Sequence, residues 1–114
     1  MERTFELDIS TKAVIVHAKH KRQKRNWIIL VAGVSQYSTE YGFHIDRYAS
    51  YHIEENREYI DILPSGWGYT YEYDFYEATD KEKQLIMDII KKKGYKYIRT
   101  LNKMVDYKNG GEFK

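Results

Sequence analysis

Apolar and polar residues alternate with period two through most of the chain and switch to three- and four-residue spacing in one late segment only. Phe5, Leu7 and Ile9 alternate with polar neighbours, which predicts a half-buried strand. Ala13 to Ala18 and Trp27 to Val34 are rich in β-branched residues and nearly continuously apolar, and they predict a central hairpin joined by the stretch between them. Phe43, Ile45, Arg47, Ala49, Tyr51 and Ile53 fall on one side of a further alternating segment. Tyr59 to Leu63 predicts a short strand, stopped by Pro64-Ser65-Gly66, whose residue types favour a turn. Tyr69, Tyr71, Tyr73 and Phe75 then form an aromatic stripe, expected to be mostly buried, with Thr70, Glu72 and Asp74 on the opposite face.

The change of period marks a helix. Thr79 and Glu82 have capping-box spacing, in which the hydroxyl accepts from a free backbone N–H and the carboxylate reaches back. Leu85, Ile86, Ile89 and Ile90 make one apolar stripe, Lys91, Lys92 and Lys93 complement the dipole at the C-terminal end, and Gly94 supplies a left-handed stop. Tyr95 to Ile98 and Lys103 to Tyr107 predict a closing hairpin. The fold class that follows is α+β: a small curled antiparallel sheet or partly open β-barrel of five to seven strands, with one amphipathic helix near the C-terminus. A single domain is expected over residues 1–108, with 109–114 as a frayed tail.

Charge alters this picture. The formal net charge of +2 hides blocks of opposite sign: +3 over residues 1–53, −7 over 54–80 and +6 over 81–114. The densest feature is Lys19-His20-Lys21-Arg22-Gln23-Lys24-Arg25, in which Lys19, Lys21, Arg22, Lys24 and Arg25 carry fixed positive charge. Like charges this close repel one another, so the run is expected as an exposed hairpin loop that attracts an anionic partner. Arginine can grip a phosphate or carboxylate through two hydrogen bonds, whereas lysine acts as a point charge. The absence of cysteine rules out disulfides and thiolate metal sites. The polar N-terminus is unlike a signal peptide, and no apolar run approaches the ~20 residues of a membrane span. A cytoplasmic protein without a membrane partner is expected.

The segment Ala78-Thr79-Asp80-Lys81-Glu82-Lys83-Gln84-Leu85, continuing to Gly94-Tyr95-Lys96-Tyr97, resembles a C-terminal module of small uncharacterised proteins of phages and mobile elements in Bacteroidota. Phe5-Glu6-Leu7 and Asn26-Trp27-Ile28-Ile29 are similar to earlier strands of the same group, which often has Trp where this chain has Tyr97. The resemblance implies an origin in phage biology and no particular reaction.

Catalytic motifs are sparse. No P-loop, dinucleotide fingerprint, nucleophile elbow or His-Glu-x-x-His occurs, and nothing calls for a cofactor or metal. His17, His20, His44 and His52 allow one enzymatic alternative, a metal-independent ribonuclease with histidines as general acid and base and a lysine as phosphate clamp. On an ideal strand His44 and His52 share a face but lie ~26 Å apart, too far to ligate one metal. We read them as solvated strand-face residues.

Gly66-Trp67-Gly68 lacks the lysine and strand-to-helix context of a phosphate loop, leaving Trp67 as a loop-tip contact or a plug at the sheet edge. Twelve tyrosines exceed ordinary usage, and Tyr37, Tyr41, Tyr48 and Tyr76 are the expected exposed ones. Such rings suit binding surfaces.

The reading that follows is a small non-enzymatic binding protein. Lys19, Lys21, Arg22, Lys24, Arg25 and Trp67 would contact a protein or ribonucleoprotein partner with an anionic surface. Its most concrete form is an anti-CRISPR-like inhibitor of a host nucleic-acid-handling defence complex. The alternative is a module that binds RNA or DNA directly.

Overall fold

The computed structural model describes residues 4–106. Its elements run β1 (Val14–His20), β2 (Asn26–Thr39), β3 (Gly42–His52), β4 (Arg57–Tyr69), β5 (Tyr73–Glu77), α1 (Asp80–Lys92), β6 (Tyr95–Ile98) and β7 (Lys103–Asp106). Short 3-10 turns occupy Thr70–Glu72 and Arg99–Leu101. Five antiparallel strands form one sheet in the order β4-β3-β2-β1-β5, and β6 and β7 pair separately. The architecture is therefore mainly β with one helix. The sheet does not close into a barrel, because β4 and β5 remain at its edges. The tail expected at 109–114 lies outside the described residues.

Every residue from Ile28 to Ala32 is buried because this stretch of β2 has a core on each face. On one face Ile28, Leu30, Tyr48 and Ala49 pack under Ile86, Ile89 and Ile90 of α1 and Met104 of β7. On the other, Val16, Ala18, Ile29, Val31, Ile45 and Phe75 form a second cluster with Leu7. The helix forms as its sequence dictates. Thr79 and Glu82 close a capping box, and Gly94 takes φ 83° beyond the C-cap Lys93.

Bulges set the shape of the sheet. Leu30 pairs with Ala49, Val31 with Arg47 and Gly33 with Asp46, so Tyr48 and Ala32 are each an extra residue in the ladder. A bulge bends its strand and resets the phase of its side chains. Ile45 consequently joins the second cluster while Tyr48 and Ala49 join the helix side. The single apolar face expected from Phe43 to Ile53 does not exist, and Ile53 is exposed. Tyr48, expected at the surface, is buried and donates its hydroxyl to the Asn102 carbonyl at 2.7 Å.

Three further expectations are corrected. Pro64-Ser65-Gly66 does not stop β4, which runs through it as an edge strand, and Asp61 to Pro64 bulge out between the pairs Ala49–Ile60 and Arg47–Ser65. Proline costs no ladder hydrogen bond in such a place. The 3-10 turn at Thr70–Glu72 breaks the aromatic stripe, leaving Tyr71 57% exposed while Phe75 is buried. The Phe5–Ile9 segment forms no strand, with Leu7 buried and Ile9 exposed, and a lone bridge joins the preceding Thr4 to Tyr76.

The bent sheet folds over its second cluster until its edges meet through aromatic rings. Trp67 of β4 lies 4.5 Å from Tyr73 and 6.5 Å from Phe75 of β5, ring centre to ring centre, and 5.7 Å from Trp27 of β2. Side chains, not a hydrogen-bond ladder, close this seam.

Candidate functional site

The basic run is the β1–β2 connection, as its charge density predicts, and it is ordered by its own backbone. The His20 amide donates to the Arg25 carbonyl at 2.9 Å, and the Lys21 amide donates to the Glu72 carbonyl at 3.0 Å. The Nδ1 atom of His20 accepts from the backbone amides of Arg22 and Gln23 at 3.1 and 3.0 Å. Its ring also meets Tyr73 edge-on at 5.0 Å. The histidine in the basic run thus serves as a scaffold for the loop.

Lys19, Lys21, Arg22, Lys24 and Arg25 are all exposed, and none makes an ion pair with another described residue. Lys19 stands directly opposite Asp74 on β5, so its charge has an acidic neighbour in the ladder. The Arg25 guanidinium donates to Gln23 Oε1 within the loop, at 3.2 Å. Burial holds the Tyr73 phenol above its ordinary range, with the Arg25 guanidinium pulling the other way.

Because the sheet folds over, the β2–β3 turn comes round to this loop. Lys21 and Arg22 share a cleft of about 180 Å³ with Glu40 and Tyr41 of that turn and with Tyr71 and Glu72 of the 3-10 turn. Backbone bonds fix its walls: Tyr71 N–H donates to the Tyr41 carbonyl at 3.0 Å, and Phe43 N–H to the Thr70 hydroxyl at 2.9 Å. Gly42 makes the close approach feasible. It has φ 96°, and a Cβ there would fall 2.7 Å from the Tyr71 ring. Tyr41 and Tyr71 are 52% and 57% exposed. The cleft therefore sets two wet aromatic rings and two cations beside two carboxylates. It can receive a surface of mixed charge and stack on a planar group.

Trp67 is not at a loop tip. It lies on β4, half-buried among Trp27, Tyr73 and Phe75, as a plug at the sheet edge, separated from the basic loop by the Tyr73 ring. The structure does not bring it together with the five cations. Tyr71 belongs to the cleft yet reads as strand interior in the sequence, and only its tyrosine-rich surroundings hint at exposure.

The four histidines do not converge. His17 faces Glu82 Oε2 from Nδ1 at 2.7 Å and Asn26 Oδ1 from Nε2 at 3.0 Å, and Asn26 in turn donates from N and Nδ2 to Glu54, both at 2.7 Å. Its ring nitrogens thus tie α1 to the sheet. His44 lies against Tyr69 at 5.3 Å, near the β2–β3 turn. His52 is 3% exposed and packs on Trp27 at 4.5 Å, with Glu55 3.4 Å away. Among the described residues, no three His, Asp or Glu side chains are grouped to hold a metal ion, and no helix is long and apolar enough to cross a membrane.

No protein-family model matches the chain, and no curated protein or solved structure is significantly similar to it.

Proposed function

We propose that this chain is a small binding protein that docks its β1–β2 loop and the adjoining tyrosine cleft onto an anionic surface of a protein partner. One observation carries the reading: five exposed cations without ion-pair partners among the described residues sit on a backbone-ordered loop directly beside the exposed rings of Tyr41 and Tyr71. Charge at the rim speeds encounter, and desolvated aromatic area at the centre sets affinity. An ordered loop also has less conformational entropy to lose on docking.

Glu40 and Glu72 line the same cleft and favour a protein over a bare phosphate backbone. A nucleic acid would have to bring phosphates against both carboxylates, whereas a protein surface can place its own acids on Lys21 and Arg22 and a basic or polar group on the glutamates. An inhibitor of a host nucleic-acid-handling complex is one form of this proposal, and it rests on the resemblance to phage proteins read from the sequence alone.

Capture from host lysate tests it, comparing the wild type with a variant carrying Lys21→Glu, Arg22→Glu, Lys24→Glu and Arg25→Glu. The expected result is a partner that survives nuclease treatment of the lysate, fails to bind the reversed variant, and binds the purified protein directly. Loss of capture on nuclease treatment, with a salt-sensitive gel shift of bare RNA or DNA, would replace this proposal with direct nucleic-acid binding. Undiminished capture by the reversed variant would remove the loop from the interface.

A further inference from the structure

A second recess lies on the opposite side of β1, where the start of that strand, α1 and the β6–β7 hairpin meet. Its volume is about 330 Å³, at the lower end of small-molecule sites. We propose that it binds a small amphipathic anion, with an aliphatic body held by Ile15, Leu30, Met87 and the Tyr97 ring and a carboxylate or phosphate head held by Lys83 and Arg99.

The recess reaches the core, since Leu30 lines it although only 1% of its surface is exposed. Met87 is 40% exposed, an apolar side chain left at the surface of an otherwise charged helix face. It lies four residues after Lys83, so the two are neighbours on that face. The Tyr97 hydroxyl is committed to Asn102 Oδ1 at 2.6 Å, which leaves its ring to supply apolar area. Ala13, which takes φ 56° and donates its amide to the Val31 carbonyl at 2.8 Å, adds only a methyl group to the lining.

The two cations supply the polarity of the occupant. Neither Lys83 nor Arg99 makes an ion pair with a described residue, and they come from different elements, the helix and the 3-10 turn after β6. An apolar floor lined as well by two positive charges that no described acid pairs matches an anion carrying a hydrocarbon tail. It does not match a neutral apolar molecule, which would leave both charges beside a greasy surface, or a cation, which they would repel.

The test is titration of the isotope-labelled protein with sodium octanoate and, separately, octyl phosphate, followed by NMR. Saturable shifts of the Ile15, Leu30 and Met87 methyl groups with either probe support the site, and the tighter probe identifies the head group. The variant Lys83→Ala/Arg99→Ala is expected to keep a folded, dispersed spectrum with changes confined to the recess, and to lose tenfold or more in affinity, about 1.4 kcal/mol. Absence of methyl shifts with both probes, equal binding of octylammonium, or unchanged affinity in the double variant would overturn the proposal.

Discussion

Removing the Glu82 carboxylate is expected to cost more than any helix cap should. Its Oε1 accepts the Thr79 amide at 2.9 Å, completing the capping box, while Oε2 meets His17 Nδ1 at 2.7 Å. Asn26 uses its Nδ2 on Glu54, so its Oδ1 faces His17 Nε2, and both ring nitrogens point at oxygen acceptors. The His17 and Glu82 side chains are 13% and 18% exposed, so water does little to replace either partner. Thr79→Ala removes one half of the cap and is expected to cost about 1 kcal/mol. Glu82→Ala removes the other half and strands a largely buried donor as well, for a total of about 2–4 kcal/mol. For a chain of this length one kcal/mol moves the midpoint by about 4 °C, so the drops should be about 4 °C for T79A and about 8–16 °C for E82A. Thermal unfolding followed by circular dichroism at neutral pH measures both. The double-mutant cycle with His17→Ala should return a coupling of about 1–3 kcal/mol between His17 and Glu82. Equal losses in T79A and E82A, with no coupling to His17, would refute the claim that this pair fastens the helix to the sheet.

The Asn102 side chain donates to the Ala32 carbonyl at 2.7 Å and accepts from the Tyr97 hydroxyl at 2.6 Å, so Asn102→Gly, which tolerates φ 46°, should still destabilise by about 1–3 kcal/mol in denaturant titration, and Asn102→Ala by more. Gly42→Ala combines φ 96° with a clash against Tyr71, and it should cost about 1–3 kcal/mol while shifting the Tyr71 ring resonances and weakening partner capture. Burial, reinforced by Tyr48 and opposed by Arg99, raises the Tyr97 phenol to about 12. The unfolded chain ionises this group near its ordinary value of 10.0 while the folded chain keeps it neutral, so its contribution to stability is intact below that value and fades between there and about 12. Tyr97→Phe should flatten that alkaline loss in stability-versus-pH curves and remove the latest phenolate from an ultraviolet titration. Burial works against ionising Glu54, but the hydrogen bonds from Asn26 outweigh it and leave the carboxyl below the ordinary 4.5. Its support therefore holds above 4.5 and is lost as pH falls below it, and Glu54→Gln should reduce the slope of acid unfolding there.

How far the sequence discloses this molecule depends on how local each determinant is. The helix is legible to its cap because Thr79, Glu82, the isoleucine stripe and Gly94 all act within one turn of where they sit. The β1–β2 hairpin is legible because two apolar runs flank a stretch too charged to bury. The phase of β3 is hidden, since the extra residues Tyr48 and Ala32 exchange its faces and only pairing with β2 reveals them. Pro64 misleads because turn chemistry is identical in a turn and in an edge bulge. At the site, the five cations are visible in the chain as written. Their juxtaposition with Tyr41 and Tyr71 is not, because it depends on β2 and β3 bending back over the second core. Asn102, which holds the β6–β7 hairpin against the double bulge, carries no signature beyond a residue type that tolerates a left-handed conformation.

The seam between β4 and β5 also endows the chain with a native optical probe. Its two tryptophans, Trp27 and Trp67, stand 5.7 Å apart at 85°, close enough for their transitions to couple and to imprint a paired band on the circular dichroism spectrum. Tyr73 touches Trp67 on one side and His20 on the other, so the indoles report on the base of the basic loop through a single intervening ring. Docking at that loop can thus be followed by intrinsic emission, with no label attached to the surface whose contacts are in question.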